Sequence, residues 1–304
     1  MGGRCAALPS LQEFAGLVTM PRMTLEALQD FVERHGRLFI LTGAGCSTDS
    51  GIPDYRDADG DWKRARPVLF EAFMTDPLVR RRYWARSLAG WPRFRRARPN
   101  DAHRALARLQ QQGRVEILVT QNVDGLHQAA GSSDVIDLHG RLDRVRCMAC
   151  GSITSRDELQ EELLRRNPNW ASLDALQAPD GDADLGELDF SAFDVPSCAD
   201  CGGLLKPDVV FFGESVPAER VQACWRALER ADAVLVVGSS LMVYSGYRFV
   251  EAAAAAGKPI AAVNLGRTRA DALLTLKVAL PCAQALAFLL EPTARPDVEH
   301  ACAG

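Results

Sequence analysis

Four of the nine cysteines stand in two Cys-x-x-Cys pairs, Cys147 and Cys150 in "CMAC" and Cys198 and Cys201 in "CADC". Two such pairs can set four thiolates tetrahedrally around Zn²⁺. With every position filled by sulfur none is left open for water, so such a metal would be structural. The 47 residues between the pairs exceed the span of a compact ribbon, and two unrelated redox or buried pairs are the competing reading. The other five, Cys5, Cys46, Cys224, Cys282 and Cys302, are scattered. Residues 1–20 show no strong basic head and no long unbroken apolar stretch, which speaks against a secretory signal. The odd cysteine count then favours a metal site in a reducing compartment over a disulfide framework.

A second group of residues suits phosphate and sugar. "LTGAGCSTDSGIPDYR" (41–56) follows an apolar run, and Gly43 and Gly45 would let backbone N–H groups approach a pyrophosphate, with Arg56 able to pair with its charge. Thr48 stands where a Gly-x-Gly-x-x-Gly fingerprint needs its third glycine. No acidic residue ends the next strand in the usual ribose-binding place, so an ordinary hydride-transfer dehydrogenase is disfavoured. That strand runs instead into "TQNVDGLH" (120–127). Gln121, Asn122 and Asp124 can hydrogen-bond ribose hydroxyls and a carboxamide, or serve turn chemistry alone. His139, in "DLHG", follows a short strand beside these loops and suits a general base near neutral pH.

These residues need elements that bring them together. "RLFILT" (37–42), "VEILVT" (115–120), "AVLVVG" (233–238) and "PIAAVN" (259–264) read as buried strands rich in β-branched residues. Helical patterns such as "PNDAHRALARLQQQG" and "PAERVQACWRALERADA" lie between them. Strand–crossover–strand repeats predict an α/β fold, a Rossmann-like parallel sheet with helices on both faces and ligands at the carboxyl ends of its strands. Residues 141–204, bounded by the cysteine pairs, break the pattern and read as a small inserted zinc-binding module. The expected organisation is an N-terminal tail (1–22), a Rossmann-like domain (23–140 and 205–292) with a helical lid segment (56–99), the module (141–204) and a C-terminal tail (293–304).

At 304 residues and 47% hydrophobic, the chain can bury a substantial core. Its net charge of −4 argues against nucleic acid as a partner, and no apolar run approaches a membrane span. Locally, "VRRRYWARSLAGWPRFRRAR" (79–98) carries eight arginines and no acid, which a solvated helix face explains. Asp180, Asp182 and Asp184 are spaced like the start of an EF-hand loop, but Gly186 is one place late and Ser191 stands where the terminal Glu belongs. A solvated loop is the better reading.

In order along the chain stand "GAGCSTDSGIPDYR", "TQNVDGLH", "LHG", the two cysteine pairs, "KPDVVFFGE", "GSSL" and "VNLG". Together they resemble a sirtuin, an NAD-dependent protein lysine deacylase, from about Arg37 to Cys282, nearly the whole chain. "YWARS", "APDGD" and "VLVVGSSLMVYSGYRF" are similar to the class II branch, which includes a mitochondrial member. The expected location is the cytoplasm, with the mitochondrial matrix as the alternative. The resemblance implies that NAD⁺ is consumed as a co-substrate: the acyl-lysine amide oxygen attacks C1′ of the nicotinamide ribose and nicotinamide leaves, in a site closed against water. It implies an NAD loop of Gly43, Ala44, Gly45, Asp54, Tyr55 and Arg56. Gln121 would bind the ribose, Asn122 would position ribose or water, and Asp124 with Ile52 would hold the carboxamide. His139 would be the general base that activates a ribose hydroxyl. Gly238, Ser239 and Ser240 would contact phosphate, Asn264, Leu265 and Gly266 the adenosine ribose, and Cys282 would border the adenine.

"KPDVVFFGE" (206–214) is an extended β-branched and aromatic strip that can pair with a peptide backbone. Val210 and Phe211 would flank an alkyl-lysine stem, with Phe212 and Gly213 continuing the strip; a buried core strand is the alternative. Tyr83 and Arg86, three apart on one helix face, resemble the Tyr-x-x-Arg pair with which desuccinylase-type sirtuins hold a carboxylate. The expected partners are acyl-lysine-bearing proteins, and the oligomeric state is open. Removal of dicarboxyl or other long acyl groups, mono-ADP-ribosyl transfer to protein and an NAD-responsive scaffold stand as alternatives, the last opposed by His139, Asn122 and Asp124 together.

Overall fold

Successive side chains of an extended strand point to opposite faces. The apolar runs are apolar at both parities, so each has to be covered twice. The computed structural model describes residues 11–54, 67–170, 176–177, 183–184 and 188–291, with side chains over 23–54, 67–170 and 188–291. In chain order its elements are helix α1 (Leu11–Arg34), strand β1 (Leu38–Thr42), helices α2 (Phe70–Thr75), α3 (Pro77–Phe94) and α4 (Asp101–Gln111), and strand β2 (Val115–Thr120). Then come helix α5 (Leu126–Ala129), strands β3 (Val135–Asp137), β4 (Gly140–Cys147) and β5 (Ile153–Ser155), and helix α6 (Arg156–Arg166). Strands β6 (Leu176–Gln177), β7 (Ala183–Asp184) and β8 (Leu205–Val209) follow, then α7 (Ala218–Arg230), β9 (Ala233–Val237), α8 (Tyr244–Ala255), β10 (Ile260–Val263), β11 (Leu276–Val278) and α9 (Cys282–Ala285). Among the described residues no helix is long and apolar enough to cross a membrane.

Six strands form one parallel sheet in the order β11-β10-β9-β1-β2-β3. The four apolar runs are its four central strands, and the three-residue β3 and β11 are its edges. Leu38, Ile40, Leu118, Leu235 and Val237 pack on one face with Leu28 and Phe31 of α1 and Leu106 and Leu109 of α4. Phe39, Leu41, Val234 and Val236 pack on the other with Leu228 of α7 and Phe249 and Val250 of α8. Each fully buried side chain of this size contributes roughly 1.5–3 kcal/mol. Strand order reverses at β1: β2 and β3 extend the sheet one way, β9, β10 and β11 the other. β1 and β9 therefore flank a topological switch point, where a crevice opens at the carboxyl ends of the strands.

β4, β5 and β8 form a separate antiparallel sheet in the order β5-β4-β8. The strand Leu205–Val209 pairs with the cysteine-bearing β4, so this small sheet reaches past residue 204. The arginine-rich segment is α3 and its exit. Asp76 caps α3 by accepting from Leu78 N–H (2.8 Å), and Pro77 occupies the first turn, where its missing N–H does no harm. Tyr83, Trp84 and Leu88 are buried against Leu159 and Leu163 of α6 and Phe211. Arg156 lies between the Trp84 and Trp91 rings, 5.5 and 5.0 Å from their centroids, and donates to the Ser87 carbonyl. Arg80 donates to the carbonyls of Phe73 and Met74, Arg81 to that of Ser191, and Arg95 pairs with Asp157. Several arginines of the basic run thus tie α3 to its neighbours. The acidic run 180–184 lies outside the residues whose side chains are described.

The four paired cysteines converge. Cys147 and Cys201 sulfurs are 3.4 Å apart, Cys150 and Cys198 sulfurs 3.9 Å, and all four lie within 4.8 Å of one another as free thiols. A Cβ at position 203 would meet the Cys147 sulfur at 2.8 Å and the Cys201 sulfur at 3.2 Å, so Gly203 keeps that space clear. This donor set fits one structural Zn²⁺. Freshly purified protein is expected to hold one zinc per chain by elemental analysis. Cys198→Ser should lose it and unfold at lower temperature, because the binding energy of a structural zinc is folding energy. Folded wild-type protein free of zinc would refute the assignment.

Candidate active site

The loop after β1 and the turn after β9 interlock backbone to backbone. Gly43 N–H donates to the Val237 carbonyl (3.0 Å) and Gly45 N–H to the Gly238 carbonyl (2.8 Å). A Cβ at 43 would lie 2.7 Å from the Ser239 Cβ, and one at 45 would lie 3.0 Å from the Gly238 oxygen. Gly238 has φ +63°, and a Cβ there would sit 2.2 Å from the Cys46 nitrogen. The Gly43 and Gly45 N–H groups are thus both committed to the end of β9. The glycines are needed because two chains touch where any side chain would collide.

Above this contact lies a cavity of about 620 Å³, within the usual range for cofactor sites. Gly43, Ala44, Gly45, Ile52 and Asp54 line it after β1, Gln121, Asn122 and Asp124 after β2, and His139 after β3. Gly238, Ser239 and Ser240 line it after β9, Asn264, Leu265 and Gly266 after β10, and Cys282 at the start of α9. Val210, Phe211, Phe212, Gly213 and Tyr83 complete the far wall, of which Arg86 is not a part among the described residues. Tyr55 and Arg56 lie outside the described residues. Within the strip, Val210 N–H already donates to the His139 carbonyl (2.8 Å) and the Phe212 carbonyl accepts from Phe70 N–H (2.9 Å). The Val210 N–H is therefore not open to a peptide. The buried Lys206 ammonium closes the strip on itself, pairing with Glu214 (3.1 Å) and donating to the Val209 carbonyl.

Two serines that the sequence reading missed organise the polar groups. Ser47 donates to Asp124 Oδ2 (2.7 Å) and accepts from Asn122 Nδ2 (3.0 Å), which also donates to the Gly43 carbonyl (3.0 Å). Burial pushes the Asp124 carboxyl above its ordinary range, while the Leu126 N–H and Ser47 bonds hold it back. Ser245, at the start of α8, lies 2.7 Å from His139 Nε2, and His139 Nδ1 lies 3.0 Å from the Gln121 carbonyl. A carbonyl only accepts, so Nδ1 carries the proton and Nε2 presents its lone pair. Burial lowers His139 to about 4, the Gln121 bond acting the other way. That is below the near-neutral value its role suggested, because burial disfavours the imidazolium. The Gln121 side chain donates to Ser239 (2.7 Å), and a Cβ at Gly246 would stand 2.6 Å from its amide oxygen. Ser47 sits within the quoted loop, but nothing local to residue 245 points to a histidine 106 positions earlier.

Two further histidines lie under the loop. Asn100 caps α4 by accepting from Ala102 N–H (2.9 Å), donates its own N–H to His103 Nδ1 in return (3.3 Å), and donates its side-chain amide to the Cys46 carbonyl (2.9 Å). Burial holds His103 down at about 4, His127 well below its ordinary value, and the Cys46 thiol well above. A histidine lowered on folding is neutral in the fold and protonated in the unfolded chain between the two values, so stability is lost as pH falls through that window. For His103 the window runs from 6.5 to about 4. His103→Gln should flatten the fall of unfolding free energy there by about one proton, roughly 1.4 kcal/mol per pH unit. Asp124 and Asp137, both raised by burial, act in the opposite sense and cancel in the comparison. An unchanged slope in denaturant titrations across the window would contradict the assignment.

A parallel sheet with a cofactor-sized cavity at its switch point, one buried histidine over it and a four-cysteine module beside it define an α/β nucleotide-cofactor protein with a cluster that fits a structural metal. More narrowly, the chain belongs to the Sir2 family, whose sequence profile matches residues 43–245. A Xanthomonas campestris pv. campestris (strain 8004) protein named NAD-dependent protein deacetylase is 67% identical over 274 residues, covering 90% of this chain and 92% of its own. The NAD-dependent protein deacetylase 2 of Bradyrhizobium diazoefficiens is 67% identical over 265 residues, covering 87% and 97%. Among solved structures, a Sir2–p53 peptide–NAD⁺ complex aligns at TM-score 0.70 and 30% identity over 88% of this chain and 97% of that one.

Proposed function

We propose that this chain is an NAD-dependent protein lysine deacetylase, transferring the acyl group of a modified lysine to ADP-ribose with release of nicotinamide. The observation that carries the reading is His139: a neutral ring, anchored at Nδ1 by Gln121, with its Nε2 lone pair on the cavity wall. The shared name of the relatives supports it. When bound, NAD⁺ supplies an electrophilic C1′ on its nicotinamide ribose and a leaving nicotinamide. The Gly43–Gly45 loop and Gly238–Ser240 would hold its phosphates, Gln121 a ribose, Asn264 to Gly266 and Cys282 the adenosine end, and Ile52 with Asp124 the carboxamide.

His139 takes a proton from a ribose hydroxyl at Nε2, where the Ser245 hydroxyl stands in this structure. The Gln121 carbonyl then faces an imidazolium and stabilises it. The Asn122–Ser47–Asp124 and Gln121–Ser239 bonds hold donors and acceptors in place beforehand, which keeps reorganisation small. Phe211, Phe94, Leu142 and Tyr83 present an apolar wall that excludes water from the reacting groups. The partners on this reading are acyl-lysine-bearing proteins, and the proposed location is the cytoplasm. His139→Ala should lower peptide deacetylation by about 10²–10⁴ while NAD⁺ still binds. Wild-type turnover in that variant, followed by mass spectrometry of an acetyl-lysine peptide, would remove His139 from the role.

Uncharged acyl groups are the better match to the wall. Tyr83 is drawn inward by edge contacts to Phe73 and Trp84 and a tilted contact to Phe211, with ring centroids 5.4, 5.3 and 5.3 Å away. That leaves Arg86, one helix turn on, half-buried outside the cavity wall. Arg86→Met is expected to shift acetyl- and succinyl-peptide activities together, each by no more than about twofold, as for a substitution away from the site. A selective loss on the succinyl peptide would reinstate Arg86 as a carboxylate partner.

A further inference from the structure

Beneath the cofactor loop lies a group of side chains that the reaction does not use. Cys46, His103 and His127 are 1%, 0% and 1% exposed, and one ligating atom of each lies within 4.8 Å of the others. They come from three elements: the turn after β1, the first turn of α4, and α5. Their hydrogen bonding leaves capacity unused. The Thr42 hydroxyl donates to Thr120 (2.8 Å), so His127 Nε2, 2.9 Å from Thr42 Oγ1, must be the donor in that contact. His127 Nδ1 is then a bare lone pair, and it is buried with no hydrogen-bond partner. An orphaned acceptor in a protein interior calls for an explanation. His103 Nδ1 accepts from the Asn100 N–H (3.3 Å) and lies 3.0 Å from Asn100 Oδ1, while its Nε2 donates to Ser47 only at 3.4 Å. A metal at Nε2 would displace that long contact and move the ring proton to Nδ1, where Asn100 Oδ1 accepts it in place of the Asn100 N–H bond.

One thiol and two imidazoles, at least one of them held with a vacant lone pair, are a ligand set for a thiophilic divalent cation. We propose that Cys46, His103 and His127 bind a second Zn²⁺, distinct from the four-cysteine zinc, and that its binding inhibits the enzyme. As the Zn–S bond forms, the Cys46 thiol releases one proton to solvent. The two imidazoles coordinate as neutral ligands, no electron is transferred, and water takes the fourth position. Tetrahedral zinc holds sulfur and nitrogen at about 2.3 and about 2.0–2.1 Å, so ligands up to 4.8 Å apart must draw together. Cys46 is flanked by Gly45, locked to Gly238, and by Ser47, which holds both Asn122 and Asp124. Drawing Cys46 toward the histidines therefore displaces the groups proposed to hold NAD⁺. The inhibitory half rests on the proposed function; the binding half does not.

The test titrates Zn²⁺ into the full chain with its four-cysteine zinc retained, and counts bound zinc by elemental analysis after gel filtration. Wild type is expected to hold two equivalents and to release one proton with the second. Cys46→Ala and His127→Gln should each stop at one, since losing a ligand costs at least the roughly 10–100-fold that losing an outer-shell partner costs. Co²⁺ in place of the added Zn²⁺ should give a thiolate-to-metal charge-transfer band in wild type and none in Cys46→Ala. Wild type that stops at one equivalent overturns the site, as does a folded Cys46→Ala or His127→Gln chain that takes two. The second equivalent should raise KM for NAD⁺ several-fold in wild type alone. Two equivalents with unchanged NAD⁺ kinetics would overturn the inhibition, and a chain inactive on every acyl peptide would overturn the proposed function while the counts still decide the site.

Discussion

The meeting of Gly45 with Gly238 is the constraint on which the site rests. β1 and β9 are parallel neighbours in register, Thr42 opposite Val237, so their loops leave the sheet at the same level. Two loops leaving side by side would normally be held apart by their side chains. Here they touch through backbone alone, with Gly45 N–H on the Gly238 carbonyl and Gly43 N–H on that of Val237. Glycine's extra conformational freedom in the unfolded chain costs about 0.5–1 kcal/mol per residue. The hydrogen bonds and the close packing below them offset that cost, and the cavity above inherits a floor that side-chain motion cannot move.

Gln121 carries this fixed geometry to His139. Its backbone N–H donates to the Thr42 carbonyl, its carbonyl accepts from His139, and its side chain donates to Ser239. One residue therefore ties the end of β1, the turn after β9 and the His139 ring. In a site with apolar walls such bonds are electrostatically stronger than in water. The histidine is oriented by these bonds, and burial keeps it uncharged.

Much of this was legible in the sequence, for identifiable reasons. The four central strands are apolar at both parities, and only a strand covered on two faces needs that. The cysteine pairs declared themselves by spacing, and the strand-end positions of Gln121, Asn122 and His139 placed them on one crevice. What stayed hidden depends on long-range pairing. β11 is too short to show a pattern, and β8 reads as a core strand until its partner β4 is known. The role of Gly43 and Gly45 turned on which carbonyls their N–H groups meet, and residue type does not carry that information. Arg86 could be read toward the cavity only until the aromatic side of α3 was seen to claim Tyr83, Trp84 and Leu88. The low value for His139 follows from burial, a property of the assembled fold.

Gly246 bears on how such a chain can change over generations. Its missing side chain leaves room for the Gln121 amide, which is pinned by its bond to Ser239. The same helical turn carries Ser245, the partner of His139. Any enlargement at 246 must be preceded by a smaller residue at 121, and that first step would release the turn after β9 before the second could compensate. The two positions, 125 apart in the chain, are thus locked in a fixed order of mutation whose intermediate is impaired. Lineages that drift freely over the surface of α8 should find this corner of it closed.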